Sequence, residues 1–136
     1  MVSQTEITLT ARPRGFHLVT SEVLLAVGKL PETGLMHLLI KHTSAALTLN
    51  ENADPSVRAD FNSFINRLVK EKETYYTHTL EGADDMPAHI KSSLFGTSLT
   101  MPISHGRLNL GNWQGIYLCE FRDYGGNRNL VATVYS

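Results

Sequence analysis

The chain has 136 residues, a formal charge of −1 and a pI near 6.6, with Lys and Arg spread along its whole length. One domain, residues 1–136, is expected at that size, and no basic tail or interleaved Arg/aromatic tract points to nucleic acid. No run reaches the ~18 apolar residues of a membrane span, MVSQTEITLT lacks a signal-peptide core, and the lone Cys119 favours a reducing, cytoplasmic compartment.

In chain order, QTEITLT (4–10) alternates and predicts an opening strand. RPRGFHLVT follows, with Pro13 and Gly15 marking a bend. Thr20 or Ser21 is placed to cap a short helix through Leu30, ended by Pro31 and Gly34. LMHLLIK (35–41) and SAALTLN (44–50) read as strands, either one long bent strand or two paired ones. Asp54-Pro55 then starts a helix: a capping carboxylate is followed by a proline whose missing N–H costs nothing. Val57, Phe61, Phe64, Ile65, Leu68 and Val69 recur at helical spacing as far as Lys70. YYTHTL is short and extended. DDMPAHIKSSLFG predicts a second helix with Met86, Ile90 and Leu94 as its apolar stripe and Gly96 as its stop. TSLTMPI, RLNL, GIYLCEF and NLVATVY read as strands joined by the turns SHGR and YGGN. The fold class expected is α+β, with a mostly antiparallel sheet and two or three helices.

Three stretches carry chemistry. In KHTSAALTLNEN (41–52), His42, Ser44, Ala46, Thr48 and Asn50 share one strand face, and Thr43, Ala45, Leu47 and Leu49 the other. That pattern is either a half-solvated sheet face or a partly enclosed polar site; short hydroxyls, Asn and His in place of Lys and Glu suit the second. Glu51 and Asp54 lead to the helix start, where Asp54 is a structural cap.

In HTLEGADDMPAHIKSS (78–93), a helix beginning near Asp85 puts Asp85, His89 and Ser92 on one stripe, with His89 at the border of the core. His78 lies on the segment leading in. The spacing matches no standard metal motif, so each His is either a ligand or a hydrogen-bonded structural residue, and Asp84 and Asp85 are either site carboxylates or helix caps. In GNWQGIYLCEFRDYGG, Glu120 sits on a strand apolar on both sides. A carboxylate there needs a partner, Arg122 or a His, or belongs to a site. Cys119 reads as an inert core thiol.

Taken together, HTSAALTLNEN, EGADDMPAHIKSS and GNWQGIYLCEFR resemble the YjbQ-type family, whose members are often described as secondary thiamine-phosphate synthase enzymes. The resemblance implies a compact α+β unit with a sandwich- or barrel-like sheet, assembled as a homotrimer, and shared polar residues at His42, Asn50, Glu51, His78, His89, Lys91, Trp113, Gln114 and Glu120. It further implies a divalent metal held by His42, His78 and His89. Glu120, Glu51, Lys91 and Asp85 are the residues for catalysis; Asn50, Ser44, Trp113, Gln114 and Arg107 those for a small anionic or phosphorylated substrate. Joining a pyrimidine-methyl diphosphate to a thiazole phosphate expels pyrophosphate, which calls for Mg²⁺ with Lys or Arg, for which Asp84, Asp85, Lys91, Arg107 and Arg122 are of the right type. A His-rich site suits Zn²⁺ instead. Two functions stay open: a metal-dependent enzyme with weak thiamine-phosphate synthase activity and another main substrate, or a non-catalytic trimeric binding protein for an anionic metabolite.

Overall fold

A computed structural model describes all of residues 1–136. Eight strands and three helices follow one another as β1 (Val2–Leu9), β2 (Gly15–Leu18), α1 (Thr20–Val27), β3 (Thr33–Ile40), β4 (Ala45–Glu51), α2 (Pro55–Leu68), α3 (Asp85–Phe95), β5 (Ser98–Ser104), β6 (Arg107–Leu108), β7 (Gln114–Glu120) and β8 (Arg128–Tyr135). They form two antiparallel sheets, a five-stranded one in the order β1-β8-β3-β5-β6 and a three-stranded one in the order β2-β7-β4. The α+β expectation holds, with sheet on sheet, the second and third helices on the outer face of the smaller sheet, and Val23 of α1 packed into the core between the sheets. No helix is long and apolar enough to cross a membrane.

Alternation explains the layering. Met36, Leu38 and Ile40 of β3 and Leu130, Ala132 and Val134 of β8 face inward against Ala45, Leu47, Ile116 and Leu118 of the smaller sheet. The other face of the smaller sheet is apolar too: Phe16, Ala46, Tyr117 and Cys119 pack on Ile65 and Val69 from the second helix and Ala88 from the third. Phe16 lies 5.4 Å, ring to ring, from both Phe61 and Phe95 and 6.1 Å from Phe121. Such pairs contribute roughly 0.5–1.5 kcal/mol each beyond their buried area. Cys119 is sealed in this layer, and burial pushes its thiol well above its ordinary pKa. The native protein should therefore resist a water-soluble thiol reagent that reacts at once in urea; stoichiometric labelling of folded protein would contradict this packing.

Several local expectations need correction. LMHLLIK and SAALTLN are neither one bent strand nor a pair, because β3 and β4 belong to different sheets and residues 41–44 turn the corner between them. Residues 15–18 are a strand rather than only a bend. Thr20 does not cap α1 with its side chain; its Oγ1 accepts from the Ile116 N–H at 2.8 Å, and the helix ends earlier, at Gly28. Asp54 does cap α2, accepting from the Ser56 N–H at 2.9 Å, yet Phe64 and Leu68 point into solvent. On α3 the expected apolar stripe is only partly buried: Met86 and Ile90 are half-buried, with Ile90 against the aromatic layer. Leu94 is exposed, and the buried residues are Asp85, Pro87, Ala88, Lys91 and Ser92. That inward polar face positions the candidate site.

Candidate metal centre

At the start of α3 the helical spacing of four brings Asp85 and His89 side by side, and the segment before the helix returns His78 to the same point. One oxygen, Asp85 Oδ2, stands 2.8 Å from His78 Nε2 and 3.1 Å from His89 Nε2. All three ligand atoms lie within 4.8 Å of one another. The Asp85 side chain is only 6% exposed, whereas His78 and His89 remain 49% and 31% exposed, so the carboxylate forms the floor and the imidazoles the rim. Burial alone would raise the Asp85 carboxyl. The hydrogen bond from His78, together with His89 and Arg122, outweighs burial and holds it below the usual carboxylate range.

The protonation pattern of His89 decides what this cluster can hold. Its Nδ1 lies 2.8 Å from the Thr43 carbonyl, an acceptor only, so Nδ1 carries the proton. In a neutral ring Nε2 is then a bare lone pair aimed at an ionised carboxylate. Two acceptors 3.1 Å apart repel unless the ring takes a second proton or a cation sits between them. Ser92 Oγ also donates to the Thr43 carbonyl, at 2.8 Å, fixing the anchor that orients the ring. A ring N–H given to a backbone carbonyl is the usual companion of a metal-ligating histidine.

The remaining residues singled out from the sequence are placed elsewhere. His42 does not join the group: its Nε2 accepts from the Asn129 N–H at 2.8 Å, and burial and then Arg128 lower its pKa, so the ring stays neutral and ties the corner between the sheets to β8. Asp85 stands third in its place, as a cluster member rather than a helix cap. Glu120 is fully buried, and its main partner is neither Arg122 nor a histidine but Arg128, with Nε to Oε1 at 2.8 Å and Nη2 to Oε2 at 2.5 Å. Ser44 completes that pair by accepting from Arg128 Nη2 through its hydroxyl at 3.0 Å. Gly125 closes over it, because a Cβ there would stand 2.6 Å from Arg128 Nη2 and 2.7 Å from both Glu120 oxygens.

Lys91 is buried as well, its ammonium donating to Asn66 Oδ1 at 2.6 Å, so no phosphate reaches it from solvent in this structure. Glu51 accepts from the Ala53 and Asp54 N–H groups and serves the start of α2. Asn50 accepts from the Glu51 N–H, Gln114 from Gly111, and Trp113 is largely exposed. These four sit at the end of the smaller sheet where Glu51 pairs with Gln114, whereas the His–Asp–His cluster adjoins the end where Ala45 pairs with Glu120. A seven-residue strand separates the ends by roughly 20 Å. Arg107 lies on the β5–β6 hairpin, in a shallow cleft with Ser104 and His105, and also lines a neighbouring cleft with Thr20 and Leu110.

Two further residues adjoin the cluster: Arg122, which the sequence offered as a partner for Glu120 or for pyrophosphate, and Lys72, which sequence reasoning missed. Arg122 reaches Asp85 and Asp84 with charged hydrogen bonds of 2.6 and 3.0 Å. Lys72 lines a cleft of about 180 Å³ beside His78, with Glu73, Tyr76, Thr79 and Met86. Its backbone takes the left-handed region at φ 59°, uncommon for a residue with a side chain. A Lys in the charged turn KEKET carries no sequence signal that would separate it from a solvated one.

The arrangement defines a small two-sheet α+β protein with a His–Asp–His cluster at one end of its inner sheet. A sequence model of the UPF0047 protein YjbQ-like family matches residues 5–136, and the chain belongs to that family. It is 55% identical over 133 residues to the UPF0047 protein YjbQ of Salmonella typhimurium and 53% identical to that of Escherichia coli O157:H7, in each case over 96% of both chains. An uncharacterized conserved protein of the same family from Clostridium acetobutylicum superposes with a TM-score of 0.82 at 33% identity, covering 96% of this chain and 98% of its own. A conserved hypothetical protein from Thermus thermophilus does so with 0.81 at 35% identity, covering 93% and 96%.

Proposed function

We propose that the protein is a metal-dependent enzyme of the cytoplasm acting on a small anionic metabolite, with His78, Asp85 and His89 as the ion's ligands. The observation that carries this reading is the convergence of His78 Nε2, Asp85 Oδ2 and His89 Nε2 within 4.8 Å of one another, with the other His89 ring nitrogen turned to the Thr43 carbonyl. Two imidazole nitrogens and one carboxylate oxygen make a donor set suited to Zn²⁺ or a similar divalent ion, and three protein ligands leave a position open, as catalytic sites require. When bound, such an ion would act as a Lewis acid on a carbonyl or phosphoryl oxygen of the substrate.

The chain's own residues take the other parts. Asp85 would hold the ion together with the two imidazoles, and the Thr43 carbonyl, accepting from Nδ1, leaves His89 Nε2 as the nitrogen that would ligate. The cleft shared with His78 offers the Lys72 ammonium and the Thr79 hydroxyl to an anionic group, the part the sequence assigned to Lys91. Neither Glu120 nor Glu51 is free to act as a base, since one is sealed against Arg128 and the other serves backbone N–H groups. Thiamine-phosphate synthase activity, with Mg²⁺, enters as a weak side reaction: expelling pyrophosphate needs several convergent cations, and Lys72 is the one on the cleft wall. The homotrimer implied by the family resemblance would cover the outer face of the larger sheet, where Val2, Leu35, Leu39 and Tyr135 are exposed on neighbouring strands.

Demetallated protein titrated with Zn²⁺ by calorimetry is expected to bind one ion per chain, and His89→Ala to weaken binding at least a hundredfold, while His42→Ala retains it. Turnover of the pyrimidine-methyl diphosphate and the thiazole phosphate should fall with the ion in His89→Ala. Undiminished turnover in the metal-free variant would sink the metal-dependent reading. Stabilisation by anionic metabolites with no product formed would favour the non-catalytic binding protein.

A further inference from the structure

We infer that Arg122 is the positioning residue of this centre: its guanidinium holds Asp85 by Oδ1, so that Oδ2 is presented to both imidazoles. The inference rests on reading the cluster as an ion site. Each of its three nitrogens has a different acceptor within one short stretch of chain. Nε donates to Asp84 Oδ2 at 3.0 Å, Nη1 to Asp85 Oδ1 at 2.6 Å and Nη2 to the Glu81 carbonyl at 3.0 Å. One rigid plane therefore sets residues 81–85, the segment that joins His78 to α3. Gly82 allows the close passage, with φ 108° and room for a Cβ only at 3.1 Å from Asp84 Oδ1 and 3.8 Å from Arg122 Nη2.

The fork is itself anchored. The preceding residue, Phe121, is buried in the aromatic layer, and the Arg122 N–H donates to Glu120 Oε2 at 3.2 Å. The Asp123 N–H adds a second hold on Asp84 Oδ2 at 2.9 Å. A chain of hydrogen bonds thus runs from the sealed Arg128–Glu120 pair through residue 122 to the carboxylate between the histidines. A lysine at 122 would keep the positive charge but could not serve three divergent acceptors in one plane. The alternative is an ordinary partly exposed ion pair, which would contribute to folding alone.

The two roles separate in a titration of the demetallated full chain with Co²⁺, followed by visible absorption, beside thermal denaturation of each ion-free variant. Wild type should take one Co²⁺ per chain, and Arg122→Lys should bind it about ten- to a hundredfold more weakly, the range for outer-sphere partners of ligands. Arg12→Lys, at the separate pair with Glu22, should bind as wild type. Equal affinity in Arg122→Lys, or an equal loss in Arg12→Lys, would overturn the positioning role while leaving the ion site standing. No Co²⁺ taken up by wild type would overturn both. If Arg122→Lys does not fold, Asp84→Ala decides: it keeps both imidazoles, Asp85 and Arg122 but removes the oxygen that accepts from Arg122 Nε and the Asp123 N–H, and unchanged affinity there would overturn the role.

Discussion

Replacing Arg128 with Met is expected to destabilise the protein by about 3–5 kcal/mol, measured by urea unfolding, because it strands Glu120 as an unpaired buried charge. Both side chains are sealed, with 4% of Arg128 and none of Glu120 exposed. The site has no slack for water, since the Gly125 backbone closes directly over both groups. The second half of the test is a double variant. Glu120→Leu with Arg128→Met removes both charges, and it should be less destabilised than Arg128→Met alone, because a neutral pair has no desolvation cost left uncompensated. A loss under about 1 kcal/mol for the single variant, or a double variant worse than either single, would show that the pair does not act as a sealed unit.

Stability should also respond to the protonation of Lys91. Burial, and then the nearby Arg14, lower its pKa from the ordinary 10.5 to about 8. Below pH 8 the folded and unfolded chains both hold the proton, and the cost of a buried ammonium is fully present. Between pH 8 and 10.5 the folded state releases that proton while the unfolded chain keeps it, so stability rises with pH, by roughly 3 kcal/mol across the window. Cys119 works in the opposite direction, because its buried thiol stays protonated after the unfolded chain has ionised above roughly pH 8.5. The difference between wild type and Lys91→Met cancels that contribution. This difference should move in favour of wild type by roughly 3 kcal/mol as pH passes from 8 to 10.5. A difference independent of pH would mean that the ammonium is solvated in solution. It would restore Lys91 as a residue that substrate can reach.

Where local chemistry is self-sufficient, the sequence was a good guide. Asp54-Pro55 predicts the start of α2 because cap and proline act within three residues, and the turns SHGR and YGGN bracket the late strands because their residues tolerate positive φ. The four-residue β2 is too short to show alternation, and nothing in KHTS says that the chain passes from one sheet to the other. The polar inward face of α3 is the instructive failure. Periodicity separates apolar from polar residues, but it does not tell which side turns inward when the polar side carries Asp85, Lys91 and Ser92 with partners waiting for them.

The same division runs through the candidate site. Asp85 and His89 were legible from their spacing of four on one helix. His78 joins them only through the path of residues 79–84, which Arg122 sets from the end of β7. His42 has the right residue type and position in its motif, yet its lone pair belongs to a backbone N–H from β8, a tertiary contact without local signature. Glu120 was readable as a buried carboxylate in need of a partner. Its partner, eight residues away across a Gly-Gly turn, could be found only by asking why an Arg opens the apolar strand NLVATVY.

The most direct test of the convergence of His78, Asp85 and His89 is a crystal grown with Zn²⁺ and measured at the zinc absorption edge. One strong anomalous peak per chain is expected, about 2.0–2.2 Å from Nε2 of His78, Nε2 of His89 and an Asp85 carboxylate oxygen. A map without density between those side chains, or with the ion bound only elsewhere on the surface, would contradict the account.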